Sequence, residues 1–174
     1  MKVWLAALGF ATLLAGAAFS DDRPVRGAEQ VAGLFVQSCV RFAGDAKGLR
    51  KWVAEVRLPA LPQAGQEAFL KGRPGIVYDA TNADGKFVVV SGDDGSCSAI
   101  AQQADPAVLV TALGRFLQQV GIAFNSTDEH EDPEEHSLHW RSWSAAKNGR
   151  RWSILAGYAS GSNGGQAMLT TTAR

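Results

Sequence analysis

The sequence predicts an α+β domain: one antiparallel sheet of about six strands with helices packed on one face, in the order ααβββαβββ. Three observations carry this prediction. Apolar residues recur at steps of three and four between Val31 and Val56, and again between Leu109 and Val120, which is the period of amphipathic helices. After each stretch the period falls to two, in runs rich in β-branched residues. Tight turns join the strand runs, which favours antiparallel pairing, and a helix separates the two groups of strands, which favours α+β over alternating α/β.

The first helix is expected over Gly27–Phe42, where Val31, Leu34, Phe35, Cys39 and Phe42 fall on one face. Cys39 is therefore on the buried side, within reach of a sheet. Asp45 can cap a second helix, whose stripe is Leu49, Trp52, Val53 and Val56, and Pro59 and Pro62 mark its end. Leu58 to Gly75 reads as a loop with a short helical middle at Ala64–Leu70. Ile76–Thr81 and Lys86–Ser91 are strands flanking the turn Asn82-Ala83-Asp84-Gly85, and Gly92–Gly95 turns the chain into a third strand, Cys97–Gln103. In the next helix Asp105 is the N-cap and Pro106 occupies the first helical position. Leu109, Leu113, Phe116, Leu117 and Val120 line its stripe, and Gly121 stops it.

Ser126–Glu135 holds six acidic residues and is expected to be an exposed lead-in. His136–Ala145 and Arg150–Ser160 flank Asn148-Gly149, a strong hairpin signal. Pairing Lys147 with Arg150 places Trp143 opposite Ile154, Ala145 opposite Trp152 and His139 opposite Tyr158 on one side of the ribbon. Trp140, Ser142 and Leu155 fall on the other. Gly161–Gly165 is a connection and Gln166–Thr172 the last strand.

Residues 1–20 read as a secretion signal: a short positive start, an apolar run over Val3–Leu14, and small residues at Ala18 and Ser20 suited to cleavage. Residues 21–174 then form a single globular domain, a length that supports a hydrophobic core. Leu14-Ala15-Gly16 precedes Ala17 instead of the cysteine that a lipoprotein would acylate. A periplasmic or secreted location follows, with no transmembrane segment in the mature chain. The full chain carries 17 basic and 17 acidic residues, and removal of the leader takes only Lys2 from that count. That balance gives no electrostatic footprint for nucleic acid. Two cysteines remain in a chain bound for an oxidising compartment, so a Cys39–Cys97 disulfide is expected.

The sequence supplies no recognisable catalytic set, no metal site and no cofactor motif. His136 and His139 are three apart, a spacing that shares a face on a helix but not on a strand. Aligning Gly85 with the glycine of a calcium-binding loop puts Ala80 and Ser91 where carboxylates are required. Ser91, Ser96 and Ser98 lack a nucleophile-elbow motif, and Gly161–Gly165 lacks the lysine and helix start of a phosphate loop. The aromatic hairpin is more distinctive. Arg141, Trp143, Trp152 and Tyr158 share one face, and they form either part of the core or a binding surface of the composition that partner interfaces favour.

Gly75-Ile76-Val77-Tyr78-Asp79-Ala80-Thr81, Gly85–Ser91, Gly95–Ala99, Trp152–Leu155 and Gln166–Thr170 together resemble a family of small uncharacterised proteins exported by Gram-negative bacteria, some of them lipoproteins. The resemblance implies an envelope location and no particular reaction. The leading functional expectation is a non-enzymatic binding domain with a protein partner in the cell envelope, as an inhibitor, an immunity-type partner or an accessory factor. The alternatives are a small hydrolase with a dispersed site, and a metal-handling protein using residues 128–139.

Overall fold

The computed structural model describes residues 22–147, 149–159 and 165–173. The expected leader, Asn148, Ser160 and most of the glycine-rich connection lie outside the described residues. Helix α1 (Arg23–Phe35) runs on into a π-helical turn over Val36–Val40, and is followed by α2 (Ala46–Glu55) and α3 (Gln63–Leu70). Strands β1 (Gly75–Asp79), β2 (Phe87–Gly92) and β3 (Cys97–Ala104) come next, then α4 (Pro106–Gln119). The chain closes with β4 (Ala123–Glu131), β5 (Leu138–Lys147), β6 (Arg150–Ala159) and β7 (Gly165–Ala173). Among the described residues the strands form one sheet in the order β1-β2-β3-β7-β6-β5-β4, and every neighbouring pair is antiparallel. The last strand therefore sits at the centre of the sheet and joins the two sequential strand groups.

The α+β class is as expected, with three departures. First, the sheet has seven strands, because the acidic stretch forms β4. An edge strand needs only one paired side, so it can lack the apolar alternation that marks a strand buried on one face. Second, the fifth strand begins at Leu138, leaving His136 in the turn before it. Third, helices occupy both faces. Val31 and Phe35 of α1, Leu49 and Val53 of α2, and Leu109, Leu113 and Leu117 of α4 pack with Val89, Ala99, Ile154 and Leu169 in the main core. On the opposite face Val77, Val90 and Ile100 form a smaller cluster with Leu61, Phe69 and Leu70, so α3 covers that end of the sheet. The alternation of Val89 with Val88 and Val90 between the two clusters is the period-2 geometry of a strand covered on both sides.

Local chemistry explains most boundaries. Asp105 Oδ1 accepts the Val108 N–H at 2.9 Å, and Asp45 Oδ1 accepts the Gly48 N–H at 2.9 Å, so both expected caps form. Helix α1 starts earlier than its apolar stripe because Pro24 suits the first turn. Helix α2 is fastened to the sheet by Arg50, which donates to Ser91 Oγ at 3.2 Å and to the Ser91 carbonyl at 3.1 Å, and pairs with Asp93. Cys39, in the π turn, is bonded to Cys97 at the start of β3, with a Cα–Cα distance of 5.1 Å.

Candidate functional site

The β5–β6 register is the one that Asn148-Gly149 predicts: Lys147 pairs with Arg150, Ala145 with Trp152, Trp143 with Ile154 and His139 with Tyr158. Arg141, Trp143, Trp152 and Tyr158 do share a face, but it is the face roofed by the helices. Trp143 and Trp152 are each 5% exposed and Tyr158 8%, so these rings belong to the core and do not form an open binding patch. Of the four, only Arg141 stays partly accessible. Its guanidinium lies 5.5 Å from the Trp143 ring centroid and 3.6 Å from Glu129 Oε2. Burial raises the Tyr158 pKa, Glu129 raises it further, and Arg141 opposes both. His139 stacks on the Tyr158 ring with centroids 5.8 Å apart.

Trp140 faces the other way. It pairs with Gly157, and its ring occupies the space above that glycine: a Cβ there would lie 2.6 Å from the ring. Its indole N–H donates to Asp132 Oδ2 at 3.1 Å. The other Asp132 oxygen accepts the N–H groups of Glu134 and Glu135 at 2.9 and 3.0 Å, so one carboxylate organises the whole β4–β5 turn. These bonds, led by that from Glu135, hold its pKa below the usual 3.8. A depressed carboxylate contributes stability above its unfolded value and loses it as pH falls through the folded one. Acidification below pH 3.8 is therefore expected to open this turn. In NMR spectra the Glu134 and Glu135 amides and the Trp140 indole should shift together, and Asp132→Asn should remove the shared transition.

The three histidines have three settings. His130 Nδ1, on β4, is 2.7 Å from Asp128 Oδ2, His136 lies in the turn, and His139 is on β5. No group of three or more metal-ligating side chains converges among the described residues. The serines considered as nucleophiles are engaged near the other end of the sheet: Ser91 with Arg50, Ser96 with Asp94 at 2.6 Å, and Ser98 with Thr170 at 2.8 Å. His139 on β5 is three strands from β3, at about 4.8 Å per strand, so no serine–histidine pair forms there.

The two sheet edges are treated differently. The β1 edge is sealed by the segment before α3: Leu61 N–H donates to the Val77 carbonyl at 2.9 Å, and Asp79 N–H to the Pro59 carbonyl at 2.8 Å. The Gln66 side-chain amide completes the seal, donating to the Val77 carbonyl at 2.9 Å and accepting the Val77 N–H at 2.7 Å. At the opposite end, among the described residues, β4 pairs only with β5, and eight of its nine residues are exposed. Its outer row of backbone groups faces outward beside Asp128, Glu129 and Glu131, with a register shift between Ser126 and Asp128. Sequence reasoning placed the acidic residues on the surface but missed that they are mounted on a strand. Comparison with protein-family models, with curated proteins and with solved structures returned no match for this chain.

Proposed function

We propose that the protein is an exported, non-enzymatic binding domain that takes a protein partner by strand addition along the outer edge of β4. The observation that carries this reading is the asymmetry of the edges: one is closed by Leu61, Pro59 and Gln66, while the other, among the described residues, is unpaired along nine residues. An open edge is a template for an added strand, and the carboxylates on β4 select against pairing with acidic segments. The partner segment is accordingly extended and basic. The Cys39–Cys97 disulfide supports action in an oxidising extracytoplasmic compartment. The leader-like residues 1–20 and the resemblance to exported Gram-negative proteins support the same address.

The test is comparative capture from periplasmic extract, using the mature chain and an Asp128→Lys/Glu131→Lys variant with the same melting temperature. The expected result is one stoichiometric partner bound by the native chain and weakened at least about tenfold in the variant, from reversal of two interfacial charges. Recovery of no partner, or of one indifferent to the variant, contradicts the proposal.

A further inference from the structure

A groove of about 630 Å³ lies on the helix side of the sheet, between the π turn, the end of α4 and the tip of the β5–β6 hairpin. Its apolar lining includes Val36, Val40, Ile122 and Trp152, each 5 or 6% exposed, and Val120, which is 40% exposed. Two arginines, Arg41 and Arg150, also line it, with Gln37 and Ala43, and no acidic side chain joins them. The groove exists because α4 stops at Gly121, where φ is 70°, while the β5–β6 hairpin continues past it. Its size falls in the small-molecule range of about 300–1,000 Å³.

The charge pattern is what identifies a ligand. Elsewhere Arg26, Arg50, Arg115 and Arg141 each meet a carboxylate, Asp84, Asp93, Glu29 and Glu129, while Arg57, Arg73 and Arg151, which form no such pair among the described residues, do not line this groove. Among the described residues, neither Arg41 nor Arg150 has such a partner. Arg41 lies over the Phe42 ring at 5.1 Å, which holds its side chain beside the groove. The Trp152 indole N–H is buried and has no acceptor among the described residues. Two exposed cationic forks therefore share one groove with an apolar floor, and no carboxylate among the described residues neutralises them.

We propose that this groove binds a soluble single-chain anionic amphiphile, with its carboxylate held by Arg41 and Arg150 and its hydrocarbon body on Val36, Val40, Ile122 and Trp152. The site does not use the outer edge of β4, so it stands or falls independently of the partner reading.

Titration calorimetry with dodecanoate below its micelle concentration tests it. The expected result is saturable one-to-one binding. The Arg41→Gln/Arg150→Gln double variant, with an unchanged melting temperature, should weaken that binding about tenfold or more, as the loss of charge-assisted bonds implies. A neutral dodecyl glycoside should bind more weakly than dodecanoate, and acetate should give no heat, since it lacks the body. The absence of saturable dodecanoate binding overturns the proposal, as does equal affinity in the double variant. Binding only to anionic vesicles also overturns it, because that outcome indicates a membrane surface and not a molecular site.

Discussion

Removal of the Cys39–Cys97 bridge is expected to lower the free energy of unfolding by about 4 kcal/mol. The two cysteines are 58 residues apart, and closing a loop of that length restricts the unfolded chain by about this amount in the chain-entropy model. The native state has little reason to rearrange when the bond is absent. Cys39 is fully buried and Cys97 nearly so, and α1, β3 and α4 hold the same core around them. A Cys39→Ala/Cys97→Ala variant should therefore keep the circular dichroism of the native chain while its denaturant midpoint falls sharply. A loss of less than about 1 kcal/mol would mean that the unfolded chain is already compact near this loop. The consequence for function is environmental: a domain of this size that draws several kcal/mol from one bond is suited to a compartment that keeps the bond oxidised.

The second large effect comes from a glycine. Gly27 lies inside α1, where glycine ordinarily costs about 1 kcal/mol relative to alanine. Here the backbone of α1 runs directly over β3, and a Cβ at residue 27 would sit 2.2 Å from the Gln103 carbonyl oxygen. That atom belongs to the main chain of an inner strand, so it cannot swing aside as a side-chain tip could. The Asp105 N–H donating to the Pro24 carbonyl at 2.9 Å ties the same end of α1 to the chain just beyond β3. Gly27→Ala should therefore destabilise by about 2–3 kcal/mol, the overpacking cost exceeding the gain in helix propensity. Gly33 is the internal control. It lies in the same helix, but the nearest atoms to a Cβ there are those of the Phe116 ring at 3.7 Å, an ordinary contact. Gly33→Ala should stabilise by about 0.5–1 kcal/mol. Denaturant melts of the two variants should move in opposite directions; a common direction would show that helix propensity, not the approach to β3, sets the outcome.

How much of this was legible in the sequence depended on whether the signal was local. Asp105, Pro106 and Gly121 delimited α4 because capping and backbone conformation act within a few residues. Asn148-Gly149 set the β5–β6 register for the same reason. The disulfide was readable because the chain holds only two cysteines. Three features depended on distant contacts and were not legible. β4 carries no apolar stripe beyond Phe124, and it is a strand because β5 pairs with it. The insertion of β7 between β3 and β6 has no counterpart in its own residues. Which side of the aromatic hairpin the helices cover is also a tertiary choice, and it turned Trp143, Trp152 and Tyr158 from candidate contacts into core. The edge that remains open is thus the less aromatic and more acidic one, a surface that composition alone presents as a solvated loop.

Strand addition makes a demand that ordinary side-chain docking does not: outward-facing main-chain N–H groups of β4 must become hydrogen-bonded in the complex. Amide hydrogen exchange of the chain, alone and saturated with its captured partner, measures this residue by residue. The account predicts that protection is gained at alternate positions between Ala123 and Glu131, while the β1 edge at Val77 is unchanged because Gln66 and Leu61 already occupy it. Protection gained elsewhere, with β4 exchanging as it does in the free chain, contradicts it.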